Sequence, residues 1–389
     1  MRKSKTENSR TEIMQIEADS VKKRHINNCY IPKDLLVDEG LCLIVGRSGT
    51  GKSLFLNNLR NNWLMDGYKG ISIDFENTAN KLVNPGSKRV INFSNKNNFE
   101  KLDLFNIRPQ AGEIFQKDEL NKEGLPIYRF KLVREILKTF SLDCYNTETK
   151  AYVIPKLDEL FDEAISLSYS DLCKRKPGIE DFIFNLKLIG KNHPLANNLA
   201  QNLELFIERC DFYSWFSQNS EDEEYLDDNY TVFNIPYSTS ASIKLAAKAA
   251  FVMYLDRFNR RNLSVNKFVD IDAIGELYQD PILNLIGQIV NNPSISKSEV
   301  ENTSEGKGKN ILTLVCQDWG DYFYSGLCKV LNNSNYSSYV FVGTNPIRKN
   351  VCGLNDDQWE VINNLRMAQK RFTECFLTNR NTILVIPYW

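Results

Sequence analysis

The run Leu41-Cys-Leu-Ile-Val45, followed by Gly46-Arg47-Ser48-Gly49-Thr50-Gly51-Lys52-Ser53, constrains this chain more than any other stretch. Successive apolar residues of this kind suit a strand buried on both faces, as in a parallel sheet. Beyond the glycines, Phe55, Leu59 and Trp63 recur every fourth residue, the spacing of one helical face, and Gly67 ends the run. The pattern Gly-x-x-x-x-Gly-Lys-Ser between strand and helix is a P-loop. Its glycines let the backbone curl until successive N–H groups point into one concavity, and the helix N-terminus adds partial positive charge. At ordinary residue frequencies the fixed positions match by chance in about one chain of this length per hundred. The expectation is a nucleoside triphosphate cradled by Gly46, Arg47, Ser48, Gly49, Thr50, Gly51, Lys52 and Ser53. Lys52 would reach the β- and γ-phosphates, and the Ser53 hydroxyl would enter a Mg²⁺ shell.

With 389 residues the chain can bury a large core and hold more than one domain. Lys plus Arg number 48 against 49 Asp plus Glu, a balance that gives no sign of a protein built to coat nucleic acid. The nine cysteines form no Cys-x-x-Cys pair, and several sit inside apolar runs, as Cys42 and Cys316 do. They read as reduced, mostly buried thiols of a cytoplasmic protein. Only His25 and His193 are available, which argues against a histidine-based zinc site. No apolar stretch approaches the roughly 18 residues of a bilayer span, and the polar stretch 1–21 has no signal-peptide core.

The chain order reads as follows. Residues 1–30 form a flexible lead-in. A strand at Gly70–Phe75 follows the P-loop helix, giving strand, helix, strand and hence a parallel α/β sheet. Asp74 ends that strand, where open sheets keep their ligands; it reads equally as a ligand of the nucleotide site or as an Asx cap. From 111 to 228 the strand signals fade. Phe130–Phe140, Lys156–Tyr169, Ile179–Leu188 and Leu199–Cys210 carry apolar residues at helical spacing, so this portion reads as an all-helical insertion. The sheet resumes with strands at Thr231–Ile235, Lys267–Asp272, Ile311–Cys316, Tyr339–Gly343 and Thr382–Pro387, and a long helix at Ser242–Arg260. Asn355 and Gln358 form a capping box that opens a helix to about Phe376. The reading is therefore a mostly parallel nucleotide-binding α/β domain over 31–110 and 229–389, interrupted by the helical insertion 111–228.

The second half of a nucleotide site needs an acid for Mg²⁺ and a polar group for the attacking water. Asp272 ends an apolar strand and is the candidate metal acid; Asp270 shares its strand face. The next residue is Ala273, where a hydrolytic enzyme normally offers Glu, and Glu276 lies one helical turn further as a substitute. Gln317 ends the next strand and is placed to sense the γ-phosphate or the attacking water. Arg371 and Arg348 are candidates for arginine fingers, with Lys349 and Arg366 as further basic candidates.

Taken in order, Gly46–Ser53, the strand ending in Asp74, the helical portion, Cys210–Phe216, Thr231–Ile235, Asp272 with Asp280-Pro281, and Gln317 resemble the TraC-like ATPases of type IV secretion and conjugation systems. These belong to the HerA/FtsK group of P-loop motors. Val351–Trp359 and the segment with Arg371 also look like that family's C-terminal end, so the similarity spans about 30–389. The resemblance implies a RecA-like sheet and ATP and Mg²⁺ as cofactors. It also implies a homo-hexamer at the inner face of a membrane, held there by secretion-channel or inner-membrane proteins. Hydrolysis would energise assembly or transfer. The sequence departs from the family at Ala273, which stands where the family has its catalytic Glu, and in 294–309, which lacks the family's Arg-Lys pair. The family's large N-terminal channel-binding domain is not covered either, so a stand-alone or split version is expected. Two other readings stay open: a nucleotide-binding scaffold that turns over weakly, and a DNA translocase of the HerA or FtsK kind, although nucleic acid is not indicated.

Overall fold

A computed structural model describes residues 22–25, 31, 40–79, 88–93, 105–109, 113, 115, 117–122, 124–142, 157–170, 177–209, 229–239, 241–261, 264–272, 309–317, 337–343, 355–368, 372–378 and 382–387. The apolar run before the P-loop is strand β2 (Gly40–Val45), and β1 (Lys22–His25) precedes it. Helix α1 (Lys52–Met65) leads to β3 (Lys69–Asp74) and β4 (Lys88–Asn92). Among the described residues, the α-helices that follow are α2 (Ile127–Leu142), α3 (Leu157–Ser168), α4 (Ile179–Gly190) and α5 (Pro194–Arg209). The chain then returns to β5 (Tyr230–Asn234), α6 (Ala241–Arg261), β6 (Lys267–Ile271), β7 (Asn310–Cys316) and β8 (Ser337–Val342). It closes with α7 (Asp356–Asn363), β9 (Met367–Ala368), β10 (Phe372–Leu377) and β11 (Thr382–Pro387).

These strands form one sheet in the order β1-β11-β10-β8-β2-β7-β6-β3-β5-β4, with β9 on β10. From β8 to β4 every pairing is parallel. Antiparallel pairs occur only around β10, which meets β8, β9 and β11. The fold is therefore the mostly parallel α/β sheet that the sequence implies. Strand β2 lies centrally between β7 and β8, and α1 carries the chain over β7 and β6 to reach β3.

Because alternate residues of a strand face opposite sides, β2 feeds two cores. Leu41, Leu43 and Val45 pack in the layer that contains α2 to α6, while Cys42 and Ile44 pack with Phe55, Leu56, Leu59 and Trp63 of α1. The fourfold apolar repeat of α1 thus faces the sheet as its spacing requires. Residues of α2 to α5 bury Phe140 against Phe206, with ring centroids 4.1 Å apart and nearly parallel. Cys42, Cys316 and Cys375 are buried and unbridged; burial pushes the Cys42 thiol up to about 12, so it is a protonated core residue.

Two sequence expectations are corrected here. Lys22–His25, assigned to the flexible lead-in, pairs in parallel with Thr382–Val385. That strand is recognisable only from its distant partner, because its own residues are polar. The helix opened by Asn355 does carry the reciprocal capping box with Gln358, but it ends at Asn363 rather than near Phe376. Phe372–Leu377 is a strand whose Thr373, Cys375 and Phe376 are all buried between β8 and β11. Its β-branched and aromatic residues suit a pleated sheet better than a helix. Among the described residues, no helix is long and apolar enough to cross a membrane.

Candidate functional site

Because β2, β7, β6 and β3 run parallel, their carboxyl ends share one edge of the sheet, where open α/β folds bind ligands. Gly46 follows β2, Gln317 follows β7, Asp272 follows β6 and Asp74 closes β3. Hydrogen bonds tie these ends together: Gly46 N–H donates to the Cys316 carbonyl at 3.3 Å, and Asp272 N–H to the Ile73 carbonyl at 3.0 Å. Asp272 and Gln317, some distance from the P-loop in sequence, thus stand along the same edge.

The loop itself is built to stay open. Gly49 and Gly51 adopt positive φ (79° and 98°), a region that residues with a Cβ avoid. Gly51 is the N-cap of α1, and no side chain caps the helix there. Its positive end therefore faces a position where a phosphate can bind. Thr50 holds the curve by donating through Oγ1 to the Arg47 carbonyl at 2.8 Å, and its own carbonyl accepts from Thr373 Oγ1 at 2.7 Å. Lys52 Nζ reaches back to the Arg47 carbonyl at 3.0 Å, arching over the loop. A Cβ on Gly46 would meet the Val342 carbonyl oxygen at 2.5 Å and Thr50 Oγ1 at 2.7 Å. Gly46→Ala is therefore expected to destabilise the chain by about 1–3 kcal/mol through overpacking and to weaken nucleotide binding. A denaturation curve and a nucleotide titration on the same preparation check both effects.

The acids at this edge divide sharply. Asp74 is fully buried, with Oδ1 accepting the Glu76 N–H at 3.0 Å and Oδ2 the Ala79 N–H at 2.9 Å. Both oxygens serve the 75–79 turn, the arrangement of the Asx cap that is one of its two sequence readings. Asp270 is also fully buried and pairs with Arg60 of α1, which donates to both carboxylate oxygens, Nε at 3.2 Å; Ser72 Oγ donates at 2.6 Å. Burial lowers the Arg60 guanidinium, but Asp270 more than reverses this, and Arg60 stays charged. Asp272 is 1% exposed and accepts from Thr78 Oγ1 at 2.8 Å. Desolvation raises its carboxyl to about 6, against the opposing pull of Arg60.

Glu76, which the sequence reading passed over, is exposed beside the P-loop. Its Oε2 accepts from Ser53 Oγ at 3.4 Å and its Oε1 from Tyr237 OH at 3.4 Å. The available signal was its position: two residues beyond a strand-end aspartate, on the strand that follows the P-loop helix. Gln317 is exposed at the end of β7. Ala273, Glu276, Arg348, Lys349 and Arg371 lie outside the described residues; Arg366 is described, exposed, with its backbone N–H on Glu374 Oε2 at 2.8 Å.

With hydroxyl, amine and carboxylate donors along this edge, the set is hard and oxygen-rich, which suits Mg²⁺ rather than a softer transition metal. An uncapped helix start, a lysine over the loop and a serine facing a carboxylate together fit a nucleoside triphosphate with its metal.

Comparison with solved structures finds VirB4 of Thermoanaerobacter pseudethanolicus, at TM-score 0.60 and 15% identity, with 90% of this chain and 89% of that one covered. The bacterial conjugative coupling protein TrwBdeltaN70 matches at TM-score 0.53 and 12% identity, covering 92% and 86%. The plasmid coupling protein TrwB in complex with ADP and Mg²⁺ matches at TM-score 0.51 and 12% identity, with the same coverage. The chain has their fold. At these identities the likeness extends to the fold and no further. No family profile matches the sequence, and no curated protein does either.

Proposed function

We propose that this chain is an ATP-binding, Mg²⁺-dependent motor subunit of a type IV secretion or conjugation channel. The observation that carries the reading is the uncapped, positive-φ loop Gly46–Gly51 opening α1, with Lys52 and Ser53 at its start. The structural likeness to VirB4, and to TrwB captured with ADP and Mg²⁺, supports it. TrwB has also been captured with non-hydrolysable analogues of ATP and GTP, so adenine selectivity rests on the sequence resemblance alone.

In this reading Lys52 and the α1 N-terminus neutralise the triphosphate, and Ser53, with Asp272 as the sequence-assigned acid, would hold Mg²⁺. When bound, the metal would supply charge neutralisation at the β- and γ-oxygens. Gln317, at the end of β7, orients the attacking water or reports the γ-phosphate. Arg371 and Arg348 are assigned as fingers reaching a neighbouring subunit's nucleotide, in a homo-hexamer docked on inner-membrane channel proteins.

Lys52→Ala tests the reading. It is expected to lower Mg²⁺-dependent phosphate release by about 10²-fold or more, as removal of a preorganised cation at transferring phosphates does. An assembled wild type with no Lys52-dependent phosphate release would defeat the motor reading. One feature favours a second reading, an ATP-binding scaffold: the residue after Asp272 is Ala273, where the resemblance implies a catalytic glutamate. In that case nucleotide binding would remain Lys52-dependent while turnover is absent.

A further inference from the structure

We infer that Glu76 is the carboxylate that anchors Mg²⁺ beside Ser53, directly or through its water shell, and that Asp272 takes a lesser part. The inference rests on the nucleotide-binding reading above and deepens it by naming the metal's acidic partner.

Among the described residues, four acidic ones lie at the carboxyl ends of β3 and β6, and three of them are committed inward. Asp74 gives both oxygens to the backbone of its own turn. Asp270 gives both to Arg60 and one of them also to Ser72. Asp272 is 1% exposed and has Thr78 Oγ1 on Oδ2; the same Thr78 oxygen accepts from Arg60 NH1 at 3.2 Å. Using Asp272 for a metal would mean drawing it out of a buried network that also holds Arg60.

Glu76 is in the opposite condition. It is exposed, and its contacts to Ser53 and Tyr237 are both 3.4 Å, at the long end of a hydrogen bond. Such contacts yield readily to a cation, whose attraction for an ionised carboxylate is far stronger than that of a neutral hydroxyl. The Ser53 hydroxyl is already turned toward that carboxylate, and Ser53 is the residue that a P-loop offers to its metal.

The segment holding Glu76 is also built rigidly. Asp74 caps it, Asn77 adopts a left-handed φ of 57°, and Thr78 locks it to Asp272 and Arg60. Tyr237, beyond β5, stacks on Phe75 of the same segment with ring centroids 6.4 Å apart. A turn fixed by three separate anchors serves to aim a side chain. The outward carboxylate it carries is Glu76.

The test is a titration of the full-length chain with a fluorescent ATP analogue, in Mg²⁺ and in EDTA. Wild type should bind more tightly in Mg²⁺. Glu76→Gln should keep the EDTA affinity and lose about 10-fold or more of the Mg²⁺-dependent gain, the scale seen when a group supporting a metal shell is removed. Glu76→Asp should restore part of that gain, because charge survives with a shorter reach. An unchanged denaturation midpoint in Glu76→Gln shows that folding is intact. A Glu76→Gln chain retaining the full Mg²⁺ gain overturns the inference, as does a wild type whose affinity ignores Mg²⁺. Neither result touches the P-loop reading, which falls only if Lys52→Ala leaves the EDTA affinity unchanged.

Discussion

Arg60→Met is expected to destabilise the chain by about 3–5 kcal/mol, the penalty for removing one member of a buried ion pair. Arg60 and Asp270 are both fully buried, and the guanidinium meets both carboxylate oxygens. Without Arg60, Asp270 keeps only Ser72, and Thr78 loses the donor that shares its oxygen with Asp272. Asp270→Asn should do comparable damage from the other side, since an amide leaves the guanidinium charge unmatched. Arg60→Met with Asp270→Leu together should recover most of the loss, because buried pairs are often replaced by apolar residues without penalty. Urea unfolding of the four proteins checks this. A double variant as weak as either single one would mean that the pair does more than neutralise itself.

The functional consequence follows from where Arg60 sits. Helix α1 begins at Lys52 and Ser53, so the pair clamps the phosphate-binding helix to β6 and to the 75–79 turn. Single variants should therefore also weaken nucleotide binding, whereas the double variant tests whether clamping needs charge or only packing.

Much of this arrangement was legible in the sequence, for reasons that particular residues make plain. The P-loop announced strand and helix together because apolar periodicity and glycine placement agreed. The parallel sheet followed from apolar strands spaced by helical segments, and Asp272 and Gln317 were recognisable as strand ends. Arg60 and Asp270 were also readable in principle. Arg60 lies on the same α1 face as Leu56 and Trp63, and Asp270 interrupts Phe268-Val-Asp-Ile271. A charge on each of two buried stripes calls for a partner, yet neither stripe says which strand will neighbour which helix. That depends on the sheet order, where β6 and β7 intervene between β2 and β3. Glu76 was hidden for a related reason. Its position after a strand-end aspartate was visible, but the commitment of Asp74 and Asp270 to other partners shows only in their buried hydrogen bonds. The β10 strand escaped because the capping box at Asn355 signals a helix start and carries no information on where it stops.

Arg129→Met is expected to cost about 3–5 kcal/mol, and Arg129→Lys to recover little of that loss although it preserves the charge. Arg129 of α2 is fully buried and spreads its donors over two acids. Nε reaches Asp256 of α6 at 2.7 Å, while NH1 and NH2 hold the two Glu113 oxygens at 2.8 Å each. Arg260 joins the same Asp256 at 3.3 Å, and the Phe115 ring lies under both guanidinium groups at 5.1 and 4.2 Å. A planar fork satisfies this geometry; a single ammonium cannot point at both acids and stack on the ring. Because α2 belongs to the helical portion and α6 packs on the sheet, the loss should appear first as loosening between them. Hydrogen exchange is then expected to rise in α2 to α5 while β2 and β7 stay protected. Full stability in Arg129→Lys would show that net charge alone joins these helices, and a uniform rise in exchange would show that they do not open separately from the sheet.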